Sequence, residues 1–227
     1  MMVGFAADMT GINRRGKAAA KVRSKANPGA ARGVATSRRA PFDRRMWRLL
    51  LLVGFLAVPL AAQVERIDLG PRGGITLYLP GEWRTATTRS TTEITLTVQP
   101  RREAVNATLT LAVSFPETDR FDTKARLKLR VEADGHGLAP ESVEGKAYAR
   151  EFTLNTGYGF YCSFTDPKLR GRPTEKGNYK VMSVGKIRLA PDVLVDVQIM
   201  GEGFSDESYN QLLGAIEGME FSPGRGR

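Results

Sequence analysis

The sequence predicts an α+β fold in which a mainly antiparallel sheet is flanked by helices. Three observations indicate this fold. Apolar residues recur at every second position in several segments between residues 75 and 199, only two segments have helical character, and no regular strand–helix–strand repeat occurs. Runs of strands that are set apart from the helices are typical of α+β domains rather than of parallel α/β folds.

The first three predicted strands are short segments of alternating apolar residues. Their apolar positions are Ile75, Leu77 and Leu79, then Ile94, Leu96 and Val98, then Ala107, Leu109, Leu111, Val113 and Phe115. The first two segments end at Pro80 and Pro100, and proline cannot donate the backbone hydrogen bond that would continue a strand. We therefore expect each segment to bury one face and to expose the other.

The next predicted strands form a hairpin and then a pair of longer strands. The hairpin has arms over residues 146–154 and 158–164, and Asn155-Thr156-Gly157 between them has the composition of a turn. Strands over residues 179–189 and 193–199 follow. Leu194 and Met200 add apolar side chains to the second face of the last strand, so we expect this face to be partly covered as well.

The clearer of the two predicted helices lies near the carboxyl end. Its apolar side chains form a single stripe, made of Tyr209, Leu212, Leu213, Ile216 and Met219. Ser205 or Asp206 can cap its start, and the acidic residues of its first turn suit the helix dipole.

The other predicted helix runs from Asp122 to about Asp134. It consists of good helix formers, and Asp122 or Thr123 can act as its cap. Apolar and basic residues nevertheless alternate strictly from Lys124 to Val131, which is a strand pattern. Propensity predicts a helix here and periodicity predicts a strand; we favour the helix.

An uninterrupted apolar segment occupies residues 49–62, which is fourteen residues. A helix that spans a bilayer needs about 20. Arginines within residues 44–48 precede the segment and small residues end it, which is the pattern of a secretory signal peptide over residues 46–62. We expect cleavage near Ala62 or Gln63 and a periplasmic or secreted protein. The alternative is that the same segment is retained as a membrane anchor.

Residues 1–45 are rich in Arg, Ala, Gly and Ser and lack apolar periodicity, which predicts a disordered segment. They are not made at all if translation begins at Met46; otherwise they form a long leader or an organelle-targeting sequence. Residues 1–62 hold 12 basic and 2 acidic residues of the chain's 34 and 24, so residues 63–227 hold 22 of each. The net charge of +10 therefore lies in the first 62 residues, and no nucleic-acid partner is expected for the mature domain.

Residues 63–221 have the size of one domain with a substantial core, and residues 222–227 are expected to form a disordered tail. The single cysteine, Cys162, leaves no internal disulfide framework, and with the single histidine, His136, it leaves no zinc site of the cysteine–histidine kind. No metal or cofactor is therefore expected.

Four segments carry a family resemblance. They are Leu79-Pro80-Gly81-Glu82-Trp83, Gly157-Tyr158-Gly159-Phe160-Tyr161-Cys162-Ser163-Phe164-Thr165-Asp166, Lys176-Gly177-Asn178-Tyr179-Lys180, and the final strand with its amphipathic helix. Together they resemble the PsbP-like proteins, which include the photosystem II extrinsic subunit and bacterial secreted proteins of the DcrB type. The resemblance covers most of residues 70–222, and the chain departs from it at Gly159 and in the long loop from Pro167 to Gly177. It implies a helix-flanked antiparallel sheet and a secreted, non-catalytic accessory or binding role, and no residue role is carried over.

No arrangement of residues predicts catalysis, so the chain is not expected to be an enzyme. Cys162 alternates with two phenylalanines in a predicted strand, where a small buried side chain belongs. His136 lies at the end of the first helix, where a cation suits the dipole. Two carboxylate pairs are better explained as helix-start charges and solvated loop residues than as acid–base pairs: Glu202 with Asp206, and Glu141 with Glu144.

Candidate binding residues lie in one predicted strand and in the loop that follows it, over residues 166–178. They are Tyr158, Tyr161, Asp166, Lys168, Arg170, Arg172 and Lys176. A second basic run lies on the first helix and consists of Lys124, Arg126, Lys128 and Arg130. If the loop and the helix are adjacent, they form a basic patch that would attract an anionic partner; if not, they are solvated surface.

The leading hypothesis is a secreted, non-catalytic accessory protein that binds an envelope protein or an anionic envelope component, with transient membrane association as one form of that binding. The alternative is a small-molecule binding protein with a pocket between sheet and helix. A hydrolase that uses Cys162 and His136, and a nucleic-acid binder that retains residues 1–45, rank below both.

Overall fold

The computed structural model describes residues 63–117, 121 and 123–224. The basic segment 1–45, the segment 46–62 for which the sequence predicts a signal peptide, and residues 225–227 lie outside the described residues. Within the described part the fold is α+β, with two sheets whose strands all pair antiparallel and two α-helices, which confirms the predicted fold class. The described helices are all too short or too polar to cross a bilayer.

Strands and helices are numbered here in chain order. The strands are β1 Gln63–Asp68, β2 Gly73–Leu79, β3 Trp83–Arg89, β4 Glu93–Pro100, β5 Thr108–Ser114, β6 Arg150–Glu151, β7 Tyr158–Thr165, β8 Val181–Ala190, β9 Val193–Gly201 and β10 Glu220–Pro223. The helices are α1 Lys124–His136 and α2 Glu207–Glu217, and 3-10 turns lie at Gly70–Arg72 and Ala139–Glu141.

The smaller sheet has the order β1-β2-β10, so β2 is its central strand. Gln63 of β1 lies opposite Leu79, at one end of β2, and Pro223 of β10 lies opposite Gly73, at the other end. The expectation of a disordered tail from residue 222 is therefore wrong at Ser222 and Pro223. One serine and one proline carry no strand signal of their own, but the side of β2 opposite β1 offers this segment backbone partners.

The larger sheet has the order β3-β4-β5-β9-β8-β7-β6. The predicted hairpin is confirmed as the pair β6–β7, in which Arg150 lies opposite Tyr161, although its first arm is strand only over Arg150–Glu151. Gly157 in the turn has φ +76°, and a Cβ there would lie 2.2 Å from the carbonyl oxygen of Arg188. Glycine is therefore required at this turn.

One face of the larger sheet packs against the smaller sheet and α2, and this interface forms the main hydrophobic core. α2 contributes the buried side chains of Tyr209, Leu212, Ala215 and Ile216, so the predicted stripe is confirmed apart from half-buried Leu213. Asp206 occupies the N-cap position but its side chain makes no capping hydrogen bond.

α1 packs on the opposite face of the larger sheet, over β7 and β8, and forms a second, smaller core. Its buried residues are Leu127, Val131 and Gly135, which are four residues apart, while Leu129 is 65% exposed. The segment is therefore a helix despite its alternating sequence pattern. Its contact with the sheet is narrow, so only every fourth residue has to be buried. Thr123 is the cap, and its hydroxyl accepts a hydrogen bond from the Arg126 amide at 3.2 Å.

Candidate functional site

Beside α1, the larger sheet carries a groove of about 260 Å³, which we call the α1 groove. Its floor consists of side chains from three adjacent strands, β8, which α1 partly covers, and β9 and β5, which lie beyond it; its wall is α1 itself. Two rows of register partners form the floor, Val184–Gln198–Thr110 and Lys186–Asp196–Ala112. Val131 and Asp134 form the wall.

Lys186 is the charged centre of the α1 groove, and only 16% of its side chain is exposed. Its ammonium group bonds the Asp196 carboxylate and lies 3.5 Å from the second oxygen of Asp134, whose first oxygen is 3.0 Å from Nε of Arg130. The groove lining thus holds one cation and two carboxylates, and Arg130, which lies outside the lining, balances the second carboxylate through its contact with Asp134, so this cluster of four groups carries no net charge. Hydrogen bonding and opposite charge together make burial of Lys186 tolerable.

Several polar atoms of the α1 groove keep hydrogen-bonding capacity. The amide nitrogen of Gln198 donates to the Met182 sulfur at 3.3 Å, a weak acceptor, and leaves the amide oxygen facing no donor among the described residues. Within the same described part, the Thr110 hydroxyl, one Asp196 oxygen and the third Lys186 proton also have no protein partner. These atoms are available to a ligand.

The loop over residues 166–178 lies at one end of the molecule, which we call the loop end. The register of the strands defines it: Thr165 lies opposite Val181, Val181 opposite Gly201, and Met200 opposite Thr108. β3 begins at this same end, because its first residue, Trp83, pairs with Pro100, the last residue of β4. The end of β2 at Leu79 immediately precedes β3, and Gln63, the first residue of β1, lies opposite Leu79. The loop and the start of the domain therefore share one end.

Asn106 fastens the loop to the sheet. Its amide nitrogen donates to the carbonyl oxygens of Asn178 (2.7 Å) and Glu175 (3.2 Å) and to the Glu202 carboxylate (2.9 Å), while its amide oxygen accepts from the Gly177 amide at 3.1 Å. Two protons serve three acceptors, so one bond is shared. We call these four hydrogen bonds the Asn106 latch. Because they use both the amide nitrogen and the amide oxygen of one side chain, they fix the loop backbone.

Glu202 completes the Asn106 latch from the end of β9. It accepts from the Thr174 hydroxyl and lies 3.4 Å from the ammonium of Lys180. Burial opposes its charge, but the hydrogen bonds from Thr174, Asn106 and Lys180 outweigh burial and lower its pKa. Glu202 is thus a structural anion of the loop and not the helix-start charge expected from the sequence, whereas Asp206 does lie at the start of α2.

The other end of the loop is held by Glu144. Its carboxylate accepts from the amide and the hydroxyl of Thr165, each at 2.8 Å. Burial again opposes the charge, and these two hydrogen bonds lower the pKa of Glu144 overall. Glu144 is therefore a loop anchor and is not the solvated loop residue expected from the sequence.

The seven predicted binding residues do not form one surface. Tyr158 and Tyr161 point to opposite faces of β7. Tyr158 packs against the smaller core under α1, and its hydroxyl donates a hydrogen bond to the Phe121 carbonyl at 2.8 Å. Tyr161 instead packs against Phe152, with 4.5 Å between the ring centres. Tyr158 also lies seven residues from the end of the strand, or roughly 23 Å from the loop end. Strand alternation explains both facts, because residues three apart face opposite sides.

The remaining predicted residues do share the loop. The Asp166 carboxylate accepts from the Lys168 amide at 2.7 Å, so Asp166 shapes the turn. Lys168, Arg170 and Arg172 are exposed and form no ion pair within the described part of the chain, while Lys176 lies 3.5 Å from Glu103. Val143, 42% exposed, donates its amide to the Thr165 carbonyl and so lies beside the start of the loop.

The basic run on α1 is separate from the loop. α1 starts near the beginning of β7, since Phe121 meets Tyr158, and it ends beside Phe164, which lies close to Gly135. Its bases are also paired: Lys124 with Glu151 at 2.7 Å, Lys128 with Glu132 at 4.0 Å and Arg130 with Asp134 at 3.0 Å. The joint basic patch that the sequence allowed is therefore not formed.

Cys162 is fully buried under α1, as expected for a core residue. Burial, and then the charge of Glu132, raise the pKa of its thiol to about 11. A nucleophilic cysteine needs a lowered pKa, so the thiol is not activated. His136 bonds the Glu132 carbonyl at 2.6 Å, and the described residues include no cluster of three side chains that could bind a metal ion.

The sequence analysis named a pocket between sheet and helix as an alternative but assigned no residue to it, because the lining of the α1 groove is distributed over residues 110–198 and is brought together only by strand register. One signal was present: the second faces of the β5 and β9 segments carry polar residues such as Thr110, Asp196 and Gln198. Polar residues on that face predict an uncovered sheet surface, although not which strands lie next to one another.

No family model and no curated protein sequence matches the chain. Solved structures that resemble it include the Ran-binding protein Mog1p of Saccharomyces cerevisiae and a mutant of Mog1. In each comparison the identity is 17%, the TM-score is 0.41, and the match covers 70% of this chain and 96% of the other. Similarity at this level carries no information about what this chain binds.

Proposed function

We propose that the chain is a secreted, non-catalytic accessory protein that binds the anionic lipid headgroups of the cell envelope through its loop end. The main structural support for this proposal is the loop over residues 166–178, which the Asn106 latch holds in place. It presents Lys168, Arg170 and Arg172, exposed and without an ion-pair partner in the described residues, beside the exposed Val143.

The strength of this binding follows from the charges. A basic residue near an anionic bilayer contributes about 1 kcal/mol, so three residues give reversible attachment on the order of 3 kcal/mol. Screening limits such attraction to about 8 Å at physiological salt, so binding should weaken as salt increases. Val143 can add a small apolar contact with the headgroup region.

The position of Gln63 supports the same orientation. The apolar segment 49–62 directly precedes Gln63, which lies at the loop end. If that segment remains in the membrane, the loop end faces the bilayer. If it is cleaved as a signal peptide, the loop alone must hold the domain. The resemblance to PsbP-like proteins and the neutral composition of residues 63–227 agree with export.

The first test is the amino terminus and intact mass of the protein from fractionated cells. A chain that starts at Gln63 or Val64 in the exported fraction supports secretion, and one that starts at Met46 in the membrane fraction supports a retained anchor. A chain that starts at Met1 in the cytoplasm overturns the proposed location and makes nucleic acid the first partner to test.

The second test is flotation of the protein with vesicles of phosphatidylcholine, with and without phosphatidylglycerol. We expect binding only with the anionic lipid, and we expect the joint change Lys168→Ser, Arg170→Ser and Arg172→Ser to remove most of it. The matched control changes Lys124, Arg126 and Lys128 of α1 to Ser, and it should keep the binding. Equal losses in the two triple variants, or binding to neither vesicle, would contradict the proposal; dependence on a membrane protein would replace lipid by a protein partner.

A further inference from the structure

The α1 groove has the chemistry of a site for one neutral sugar residue, and we propose that it binds an uncharged pyranose. This goes beyond the lipid-binding role of the loop end, because the two surfaces share no residue. The inference rests on three properties of the groove: its charge balance, the spacing of its polar atoms and the position of its apolar side chains.

The charge balance selects an uncharged ligand. Lys186 contacts both carboxylates of the lining, Asp134 and Asp196, and Arg130 balances Asp134 from outside the lining. An anionic or cationic ligand would add an uncompensated charge to this balanced cluster beside a lysine that is only 16% exposed, and burial of an unmatched charge is costly. A neutral ligand can bond the remaining donor and acceptor atoms without disturbing the ion pairs.

The spacing of the polar atoms suits a ring that carries hydroxyl groups on both sides. Lys186 and Asp196 form one register pair and Gln198 and Thr110 another, two residues further along β9. The pairs are therefore about 7 Å apart, roughly the span between opposite hydroxyl groups of one pyranose ring. Each pair offers a hydrogen-bond donor and an acceptor, and a sugar hydroxyl group can both accept from the one and donate to the other.

The apolar side chains lie where the C–H surface of such a ring would rest. Val184 and Ala112 occupy the two apolar corners of the floor, and Val131 stands above them on α1. A purely polar solute would gain nothing from this contact, whereas a sugar has both an apolar face and a polar rim. The groove volume of about 260 Å³ suits one ring rather than several.

The test is an NMR titration of the full chain, observed at the methyl groups of Val131, Val184 and Ala112. The probes are methyl glucoside, methyl galactoside, methyl mannoside and N-acetylglucosamine at millimolar concentrations. We expect at least one of them to shift all three methyl signals, and we expect glucosamine and glucuronate, the charged analogues, to bind less tightly. Tighter binding of a linked oligosaccharide would identify a glycan as the source, and equal binding a free sugar; both support the site.

Two variants make the test specific. Gln198→Ala should weaken binding about fivefold, the loss of about one hydrogen bond. Thr88→Ala, on the same sheet face but two strands from Thr110, should leave binding unchanged, and the dispersion of the methyl signals checks that both variants fold. No shift at the three methyl groups with any neutral sugar, an unchanged affinity in Gln198→Ala, or tighter binding of a charged analogue would overturn the proposal.

Discussion

At the scale of single residues, two helical glycines look alike in the sequence but differ in their surroundings. Gly135 in α1 faces the smaller core, and a Cβ there would lie 2.9 Å from Cβ of Ala147 and 3.2 Å from the Cys162 sulfur. Gly214 in α2 has no atom within 4 Å of the same position. Helix propensity favours alanine at both sites, whereas packing forbids it at only one.

We therefore expect Gly214→Ala to stabilise the protein by roughly 0.5–1 kcal/mol and Gly135→Ala to destabilise it by about 1–3 kcal/mol. Urea unfolding with an unchanged m-value measures both differences. Stabilisation by both substitutions would show that α1 can move away from the sheet without loss.

The raised pKa of Cys162 predicts that the free energy of unfolding decreases at alkaline pH. Its pKa is raised from 9.0 to about 11, so between these values the unfolded thiol has lost its proton while the buried thiol keeps it. Stability then falls as pH rises through this window, with a slope of up to about 1.4 kcal/mol per pH unit. Cys162→Ala should lack this component, so the difference between the two unfolding curves isolates it; parallel curves from pH 9 to 11 would contradict the assignment.

At the scale of elements, the loop over residues 166–178 owes its conformation to the side chains at its two ends. Asn106→Ala removes four hydrogen bonds of the Asn106 latch. We expect faster amide exchange at Gly177 and Asn178 and a loss of about 1 kcal/mol. Hydrogen exchange read by mass spectrometry measures this, with Glu175→Gln as the control, since only the backbone of Glu175 takes part in the latch. Equal exchange in the two variants would show that the loop does not need the latch.

Acid should release the same loop. The pKa values of Glu144 and Glu202 are lowered from 4.5, so their stabilising bonds are fully present above that value and are lost as pH falls through the lower folded values. We expect exchange over residues 165–178 to increase in acid. The double variant Glu144→Gln, Glu202→Gln should already exchange faster at neutral pH and should change little on acidification; an acid response as large as that of the parent would refute the role of these two carboxylates.

The elements also show what sequence patterns reveal. Strands with several buried alternating residues, such as β4, β5 and β9, were predictable, as were both helices. β1 and β3 were missed because each is an edge strand with a single buried residue, Ile67 and Trp83 respectively. Their strand structure comes from the backbone of a neighbour rather than from their own apolar pattern.

At the scale of the whole molecule, the candidate surfaces differ in how far the sequence could locate them. The basic loop is continuous in sequence, so it could be identified by composition, whereas Tyr158 and Tyr161, predicted as binding residues of one strand, lie on opposite faces of β7. The α1 groove joins one helix to strands that are distant in the chain, and no local pattern encodes their register. Local surfaces are therefore predictable where discontinuous ones are not.

The arrangement of the smaller sheet has a mechanical consequence. β1 and β10 flank β2 and run in the same direction, so Gln63 leaves the sheet at one end and Pro223 at the other. A force that pulls these two points apart loads the hydrogen bonds on both sides of β2 in shear, together rather than one by one. A domain that is tethered before Gln63 and pulled from its carboxyl end should therefore resist extension, and single-molecule pulling should show β10, with its four paired residues, detaching first.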